Sequence, residues 1–469
     1  MFKKFRKRHS KKLLAFLTAV LLVGCCGCGA GTQTETQSGT QADETLPAAT
    51  ESLVLYAGPY VAKYLNQAVT LFKQQYPDVD VQVRDFGDAN DYQNEENYME
   101  VLKSDLAAGE GPDLILFTPG ELGDLDKIAE GGTFQDLDGY FQNDSEFSLD
   151  TCNEAVMDSG IYQGSRLFVP ISYSVNLLLT CEETLEAENQ TLPETQEDLY
   201  AQMTAYGETY RDDTSKYFTQ QYDLFYNLFQ ASALSVVDYS DKTVTVDNDG
   251  FQSFMNAYAA LYEMDHQRSE DGVYVTDPDN SETGDFVKLN REDKILYIHE
   301  TAPFDFLDDY GELLYDHTPV YTAIPSESGK PAVQVAMTAA INKNSDNKEN
   351  AYQLLKILLS EEMQSYGMNS GCGFFSYPVL SGVLEKCLTE ENITYAGVST
   401  PDKTIVYASV PADTITAFVD AVSDVTCSNI SYTVEKFVWD EMEPYFKGQK
   451  SYDDCLSSLK NKLELYVNE

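Results

Sequence analysis

Positive charge is scarce in this chain, and much of it lies at one end. Of 31 Lys and Arg, seven (Lys3, Lys4, Arg6, Lys7, Arg8, Lys11 and Lys12) fall in the first 24 residues, which contain no acid. The other 24 face 77 Asp and Glu, so the formal charge of −46 becomes −53 beyond that segment. So acidic a chain cannot neutralise a row of phosphates, which excludes nucleic acid as a partner. It is also repelled by anionic lipid. Histidine is nearly absent: beyond the N-terminal segment only His266, His299 and His317 remain, too scattered to read as a metal centre. Tryptophan occurs once, as Trp439. No apolar run reaches the roughly 20 residues a helix needs to span a bilayer. Catalytic signatures are missing too. There is no G-x-S-x-G. Gly329-Lys330 has Ile324 where a phosphate-binding loop needs its first Gly. His299-Glu300 fails to become H-E-x-x-H because Pro303 takes the last place. Carboxylate pairs are unavoidable among 77 acids and identify no glycosidase. The sequence therefore predicts no catalytic residue, no cofactor and no bound metal.

Apolar residues are plentiful: 43% of the chain is hydrophobic and 12% aromatic, with 32 Tyr and 23 Phe. That excludes disorder despite the charge, and 469 residues should divide into two or three compact units. The N-terminus obeys other rules. Its basic stretch precedes an apolar run from Leu13 to Val23, ending in Leu22-Val23-Gly24-Cys25. A basic head, a short apolar run and a small residue before the cut describe a secretory signal. Leu-Val-Gly-Cys resembles the bacterial lipobox, which implies cleavage after residue 24 and lipidation of Cys25. Two or more acyl chains give stable anchoring. Cys26 and Cys28 stand close by, but no second ligand pair at zinc spacing follows. Residues 29–52, rich in Thr, Gln, Gly, Ala, Ser and Glu, read as a flexible tether reaching roughly 25–30 Å. The expected location is the extracytoplasmic face of the cell membrane, held by lipid.

The body opens with a strand at Leu53–Tyr56 stopped by Gly58-Pro59. Val61, Leu65, Ala68/Val69, Phe72 and Tyr76 then recur at helical spacing, and Val79, Val81 and Val83 alternate as a strand. A second helix runs through Met99, Leu102 and Leu106 to Gly109, and Leu114–Phe117 is a fully apolar strand. This alternation is an α/β pattern with a parallel sheet.

Asp105-Leu106-Ala107-Ala108-Gly109-Glu110-Gly111-Pro112-Asp113-Leu114-Ile115 resembles a signature of the extracellular solute-binding proteins of bacterial ABC importers. The likeness is to their sugar-type group, which includes maltose-binding protein. Further segments follow in that family's order: 125–137, 164–179, Val244–Asp247 with the helical stretch 251–264, Ala340–Ser345 with 347–364, and 432–463. The resemblance covers residues 53–465. It implies a periplasmic-binding-protein-like fold, two α/β lobes joined by crossing hinge strands with a ligand cleft between them. The expected limits are signal peptide 1–24, lipidated Cys and tether 25–52, lobe 1 at 53–172 plus 338–378, and lobe 2 at 173–337 plus 379–469. Crossings are expected near 172–176, 333–339 and 375–381. The resemblance also implies capture of a solute, a carbohydrate or oligosaccharide being favoured, by a monomer that delivers it to the permease subunits of an importer. Peptides, polyamines and metal complexes remain open as ligands, as does a surface-anchored glycan-acting enzyme.

Sugars offer polar edges and apolar faces, so candidate ligand residues are aromatic and polar groups at strand ends. These are Gly58 and Tyr60 after the first strand, Thr118 after the third, Tyr173 and Asn176 at the first crossing, Glu300 and Phe304 after Ile295–Ile298, and Phe374 and Phe375 before Pro378. Phe304 stands where relatives often carry Gly-x-Trp; Phe is a weaker platform and lacks the indole N–H. Trp439, with Val438, Met442 and Phe446 nearby, reads as core. Asp247-Asn248-Asp249-Gly250 reads as a turn and helix cap, and 277–282 as a solvated acidic loop. The six body cysteines, Cys152, Cys181, Cys372, Cys387, Cys427 and Cys455, allow either disulfides or free thiols.

Overall fold

The computed structural model describes residues 52–468 except 88–91, 123–124, 214, 221–223, 240, 272–285, 370–375, 393–397, 400–403, 406–407 and 429. Cys25, the tether, the 277–282 loop, Cys372, Phe374 and Phe375 lie outside the described residues. Among those described, no helix is long and apolar enough to cross a membrane. Residues 51–469 form one compact unit.

Two sheets organise it. In the larger, seven-stranded sheet the order is Tyr377–Pro378, Val169–Val175, Ala332–Ile341, Leu114–Phe117, Leu53–Ala57 and Val81–Arg84, with Thr426–Cys427 pairing the far end of Ala332–Ile341. Leu53–Ala57 runs parallel to both Val81–Arg84 and Leu114–Phe117, as the strand–helix alternation predicts. Helix Ala62–Gln75 buries Tyr64, Leu65, Ala68, Val69 and Phe72, close to the predicted apolar stripe. The smaller sheet runs Pro319–Ala323, Leu177–Cys181, Ile295–Glu300, Tyr217–Thr219.

The chain passes between the sheets at a single residue. Val169–Val175 belongs to the larger sheet and Leu177–Cys181 to the smaller, so only Asn176 separates them. The chain returns through 324–331. Residues 332–341 then form one strand of the larger sheet, with register shifts beside Met337.

A second core lies under the helices of the smaller sheet. Phe225 is its hub: its ring is 5.0 Å from Tyr258, 5.0 Å from Trp439, 5.4 Å from Phe229 and 5.8 Å from Phe446. Trp439 is thus part of the core packing, as expected. Helices Gln196–Thr209 and Asp249–Asp271 touch at Gly207, where a Cβ would stand 2.3 Å from the Ala260 carbonyl oxygen. Only glycine permits so close an approach. Asn248 caps the second of these helices, its Oδ1 accepting from Phe251 N at 2.8 Å, in line with the predicted turn and cap. The five described body cysteines are free thiols, four of them buried.

Candidate ligand site

The strand ends of the larger sheet carry Gly58, Tyr60 and Thr118. The Gly58 carbonyl accepts from Val61 N and Ala62 N, both at 3.1 Å, opening the helix that follows. Tyr60 is 43% exposed and its hydroxyl lies 3.5 Å from Glu95 Oε2. Thr118 N donates to Glu121 Oε2 at 2.6 Å, and Glu121 N donates back to the Thr118 carbonyl at 3.0 Å. Pro119 starts the short helix between them, a favoured first helical residue. This reciprocal clasp presses the Glu121 carboxyl against Gly58, where a Cβ would meet Oε1 at 2.0 Å. Glu121 is 2% exposed and Oε1 finds no hydrogen bond among the described residues. Burial pushes its pKa up to about 7 against the two Thr118 hydrogen bonds, which lower it. Glu121 therefore exchanges its proton near neutral pH, and a side chain at position 58 would have to displace the Glu121 carboxyl.

At the crossing, Asn176 is buried and bonded two ways. Its carbonyl accepts from Ile324 N at 2.9 Å, and its Oδ1 lies 3.0 Å from His299 Nε2. His299 is 1% exposed, and burial alone lowers its pKa to about 4, so the ring is neutral at pH 7. With Asn176 Oδ1 as acceptor, Nε2 carries the proton. Gln220 clamps the His299 backbone from both sides, at 2.8 and 2.9 Å. Neither the ring nor Gln220 stood among the sequence candidates.

Tyr173 is 2% exposed, stacked on Tyr377, with its hydroxyl donating to the Val422 carbonyl at 3.1 Å. It lies in the core and fastens helix Ala412–Ser423 to the larger sheet. Phe304 is half-buried against that core. Glu300 ends the strand Ile295–Glu300 and is 7% exposed. It is hydrogen-bonded to Asp309, and burial together with Asp309 holds its pKa well above the carboxylate range. Asp305, Asp308 and Asp309 follow on helix Pro303–Leu314, all raised by burial first, Asp309 to about 7.

The structure thus gathers Gly58, Thr118 and Glu121 at one point, and Asn176 and His299 at another. Glu300 and the helix acids form a third. A separate groove of about 720 Å³ lies between helices Asp138–Asn143 and Lys348–Leu358 and contains none of these residues. Among the described residues no group of three His, Cys, Asp or Glu has metal-holding geometry.

Known structures share this fold. An ABC substrate-binding protein from Listeria monocytogenes, in complex with cycloalternan, is 17% identical, with TM-score 0.55 over 89% of this chain and 99% of that one. The sugar-binding protein MalE from Xanthomonas citri is 14% identical, with TM-score 0.60 over 89% and 98%. A cyclic alpha-maltosyl-1,6-maltose binding protein from Arthrobacter globiformis is 15% identical, with TM-score 0.58 over 89% and 99%. At these identities the likeness is one of fold, a two-lobed periplasmic-binding-protein fold. No curated protein matches by sequence. The family model for bacterial extracellular solute-binding proteins matches residues 58–365, and the chain belongs to that family.

Proposed function

We propose that the chain is the lipid-anchored receptor of an ABC importer, capturing a carbohydrate between its lobes and passing it to the permease without breaking a bond. The observation that carries this is the family match, which spans the strand ends and the Asn176 crossing. The structural neighbours named above add the ligand class: cycloalternan, a sugar and a cyclic maltosyl-maltose. Gly58, Tyr60, Thr118, Asn176, Glu300 and Phe304 remain the proposed contacts, with Glu121 added beside Gly58. Phe374 and Phe375 stay as proposed contacts from sequence. Tyr173 acts through the core instead.

The lobes are assigned from the sheets: the larger sheet with 379–427 on one side, the smaller sheet with 432–468 on the other. On that assignment the second crossing is 324–331, because 332–341 stays in one sheet, and the third lies between Cys427, paired to the larger sheet, and helix Tyr432–Phe446. Closure is rotation at the crossings, driven by contacts that only the closed form makes. The receptor works as a monomer.

Two measurements test the reading. Maltotriose or cycloalternan at 100 times Kd should stabilise the protein by about 2.7 kcal/mol, read as a higher Tm. If no saccharide raises Tm while a peptide or spermidine does, the carbohydrate assignment fails. Separately, Cys25→Ala should release the protein from membranes into the soluble fraction. Full membrane retention of that variant would refute the lipid anchor.

A further inference from the structure

We infer that His299 is a positioning residue for capture: its ring Nε2–H holds Asn176, fastens the first crossing to the smaller sheet, and confines the bend at that crossing to the Val175–Asn176 link. This rests on the receptor reading above and names the side chain that regulates closure of the same site.

The two chain neighbours of Asn176 are held by different sheets. Val175 ends its strand and pairs with Val333 in the larger sheet. Leu177 pairs with Glu300 and Ala323 in the smaller sheet. Asn176 lies between them, buried, and both of its bonds go to the smaller-sheet side. Its carbonyl accepts from Ile324 N at 2.9 Å, and Ile324 packs in the second core with Phe225 and Phe229. Its Oδ1 lies 3.0 Å from Nε2 of His299, which belongs to strand Ile295–Glu300. Asn176 therefore moves with the smaller sheet and Val175 with the larger. The change in backbone angles that a hinge must absorb falls on ψ of Val175 and φ of Asn176. Ile324 also opens the second crossing, so the anchored Asn176 steadies both.

The buried His299 ring makes its one hydrogen bond among the described residues to Asn176, and Nδ1 has no partner there. An unpartnered buried polar atom costs free energy. An apolar side chain of similar volume would avoid that cost, so the imidazole at this place is explained by the bond it makes. The proton belongs on Nε2, because the opposite tautomer would leave an N–H at Nδ1 without an acceptor, a rarer orphan than a bare lone pair. Gln220 holds the His299 backbone independently, accepting from its N at 2.8 Å and donating to its carbonyl at 2.9 Å. The strand therefore keeps its place whatever side chain residue 299 carries, and the contribution of the ring is separable.

Without that bond, Asn176 turns about the links on both of its sides. The closed arrangement becomes a smaller fraction of a wider ensemble, and apparent affinity falls in proportion to that fraction. One buried hydrogen bond corresponds to about tenfold in an equilibrium constant. Loss of the ring N–H therefore weakens capture by up to about tenfold, although none of the proposed ligand contacts has been removed.

The test uses the full chain and two variants of like polarity. Glutamine carries an N–H where imidazole has Nε2, and asparagine carries one where imidazole has Nδ1. His299→Gln should keep the bond to Asn176 and His299→Asn should lose it. Hydrogen exchange at Ile324 N–H, which needs no ligand, should be several-fold faster in the asparagine variant and unchanged in the glutamine variant. Calorimetry with maltotriose should give a Kd about tenfold higher for the asparagine variant and within about twofold of the unaltered value for the glutamine variant. Nitrogen NMR of the unaltered protein, which has only four histidines, should find His299 neutral with its proton on Nε2 at pH 7; this readout stands even where a variant fails to fold. A proton on Nδ1, equal exchange at Ile324 in the two variants, or equal maltotriose affinity in the two overturns the proposal. If no saccharide binds the unaltered protein while exchange at Ile324 still separates the variants, the carbohydrate reading falls and the His299 anchor stands.

Discussion

Replacing Phe225 by alanine should cost about 3–5 kcal/mol, the range for removing a fully packed aromatic ring. Phe225 is 1% exposed and sits at the centre of a cluster built by Tyr258, Phe254, Phe229, Phe446 and Trp439. These rings come from helices Leu224–Ser232, Asp249–Asp271 and Tyr432–Phe446, so the hole cannot be filled by moving one element. Tm should fall by roughly 3–6 °C. Trp439 supplies the readout, as the only tryptophan in the chain: with its 5.0 Å neighbour gone, water reaches the indole and its emission shifts to the red. Phe225→Leu conserves most of the volume and should cost less than about 1.5 kcal/mol. A loss under 1 kcal/mol for the alanine variant, or an unshifted spectrum, would show that the cluster does not depend on its central ring.

The second large effect concerns Asp113, the acid of the Gly111-Pro112-Asp113 motif. Its Oδ2 accepts from Val54 N at 2.7 Å and its Oδ1 from Ser345 Oγ at 2.6 Å. Its backbone is used as well, donating to the Val54 carbonyl at 2.7 Å and accepting from Asn342 N at 3.0 Å. One side chain therefore ties the first strand, the third strand and the turn before helix Lys348–Leu358. Asp113→Ala orphans a backbone N–H and a hydroxyl in a buried place. Losing two bonds to a charged acceptor should cost about 2–4 kcal/mol, measured by urea unfolding. The folded fraction should bind ligand as the unaltered protein does, since Asp113 belongs to the frame and not to the strand-end contacts. A variant of full stability with impaired binding would reverse that assignment.

Much of the first half of the fold was legible because its pattern is local. The apolar stripe of 62–75 and the continuous apolar strand at 114–117 are direct outputs of helical and buried-sheet periodicity. The step from the larger sheet to the smaller comes at Asn176. The site was less legible, for two reasons. In a chain with 77 acids, an individual Glu carries no signal, so Glu121 passed unnoticed. A usable cue existed in Thr118-Pro119-Gly120-Glu121, a cap residue three before Glu with Pro at the first helical place. Likewise Asp305, Asp308 and Asp309 recur at helical spacing beside the buried Phe306, Leu307 and Tyr310. That is unusual for acids expected to face water. The second reason is that strand alternation does not reveal what covers each face. Tyr173 points toward helix Ala412–Ser423, more than 230 residues away in sequence, and nothing local announces that cover.

The one-residue joint at Asn176 has a consequence for how fast the receptor can work. A long linker would let the lobes wander, and each capture would begin with a search for the right mutual orientation, with an entropy toll on closing. Of the three crossings, this one is a single residue, its carbonyl bonded to Ile324 and its side chain to His299. The lobes can swing about an axle but can hardly translate, so an arriving molecule meets a jaw already aligned. On the hinge motion proposed above, capture would approach the rate of encounter, and the time a ligand is held would depend on how readily that axle turns back.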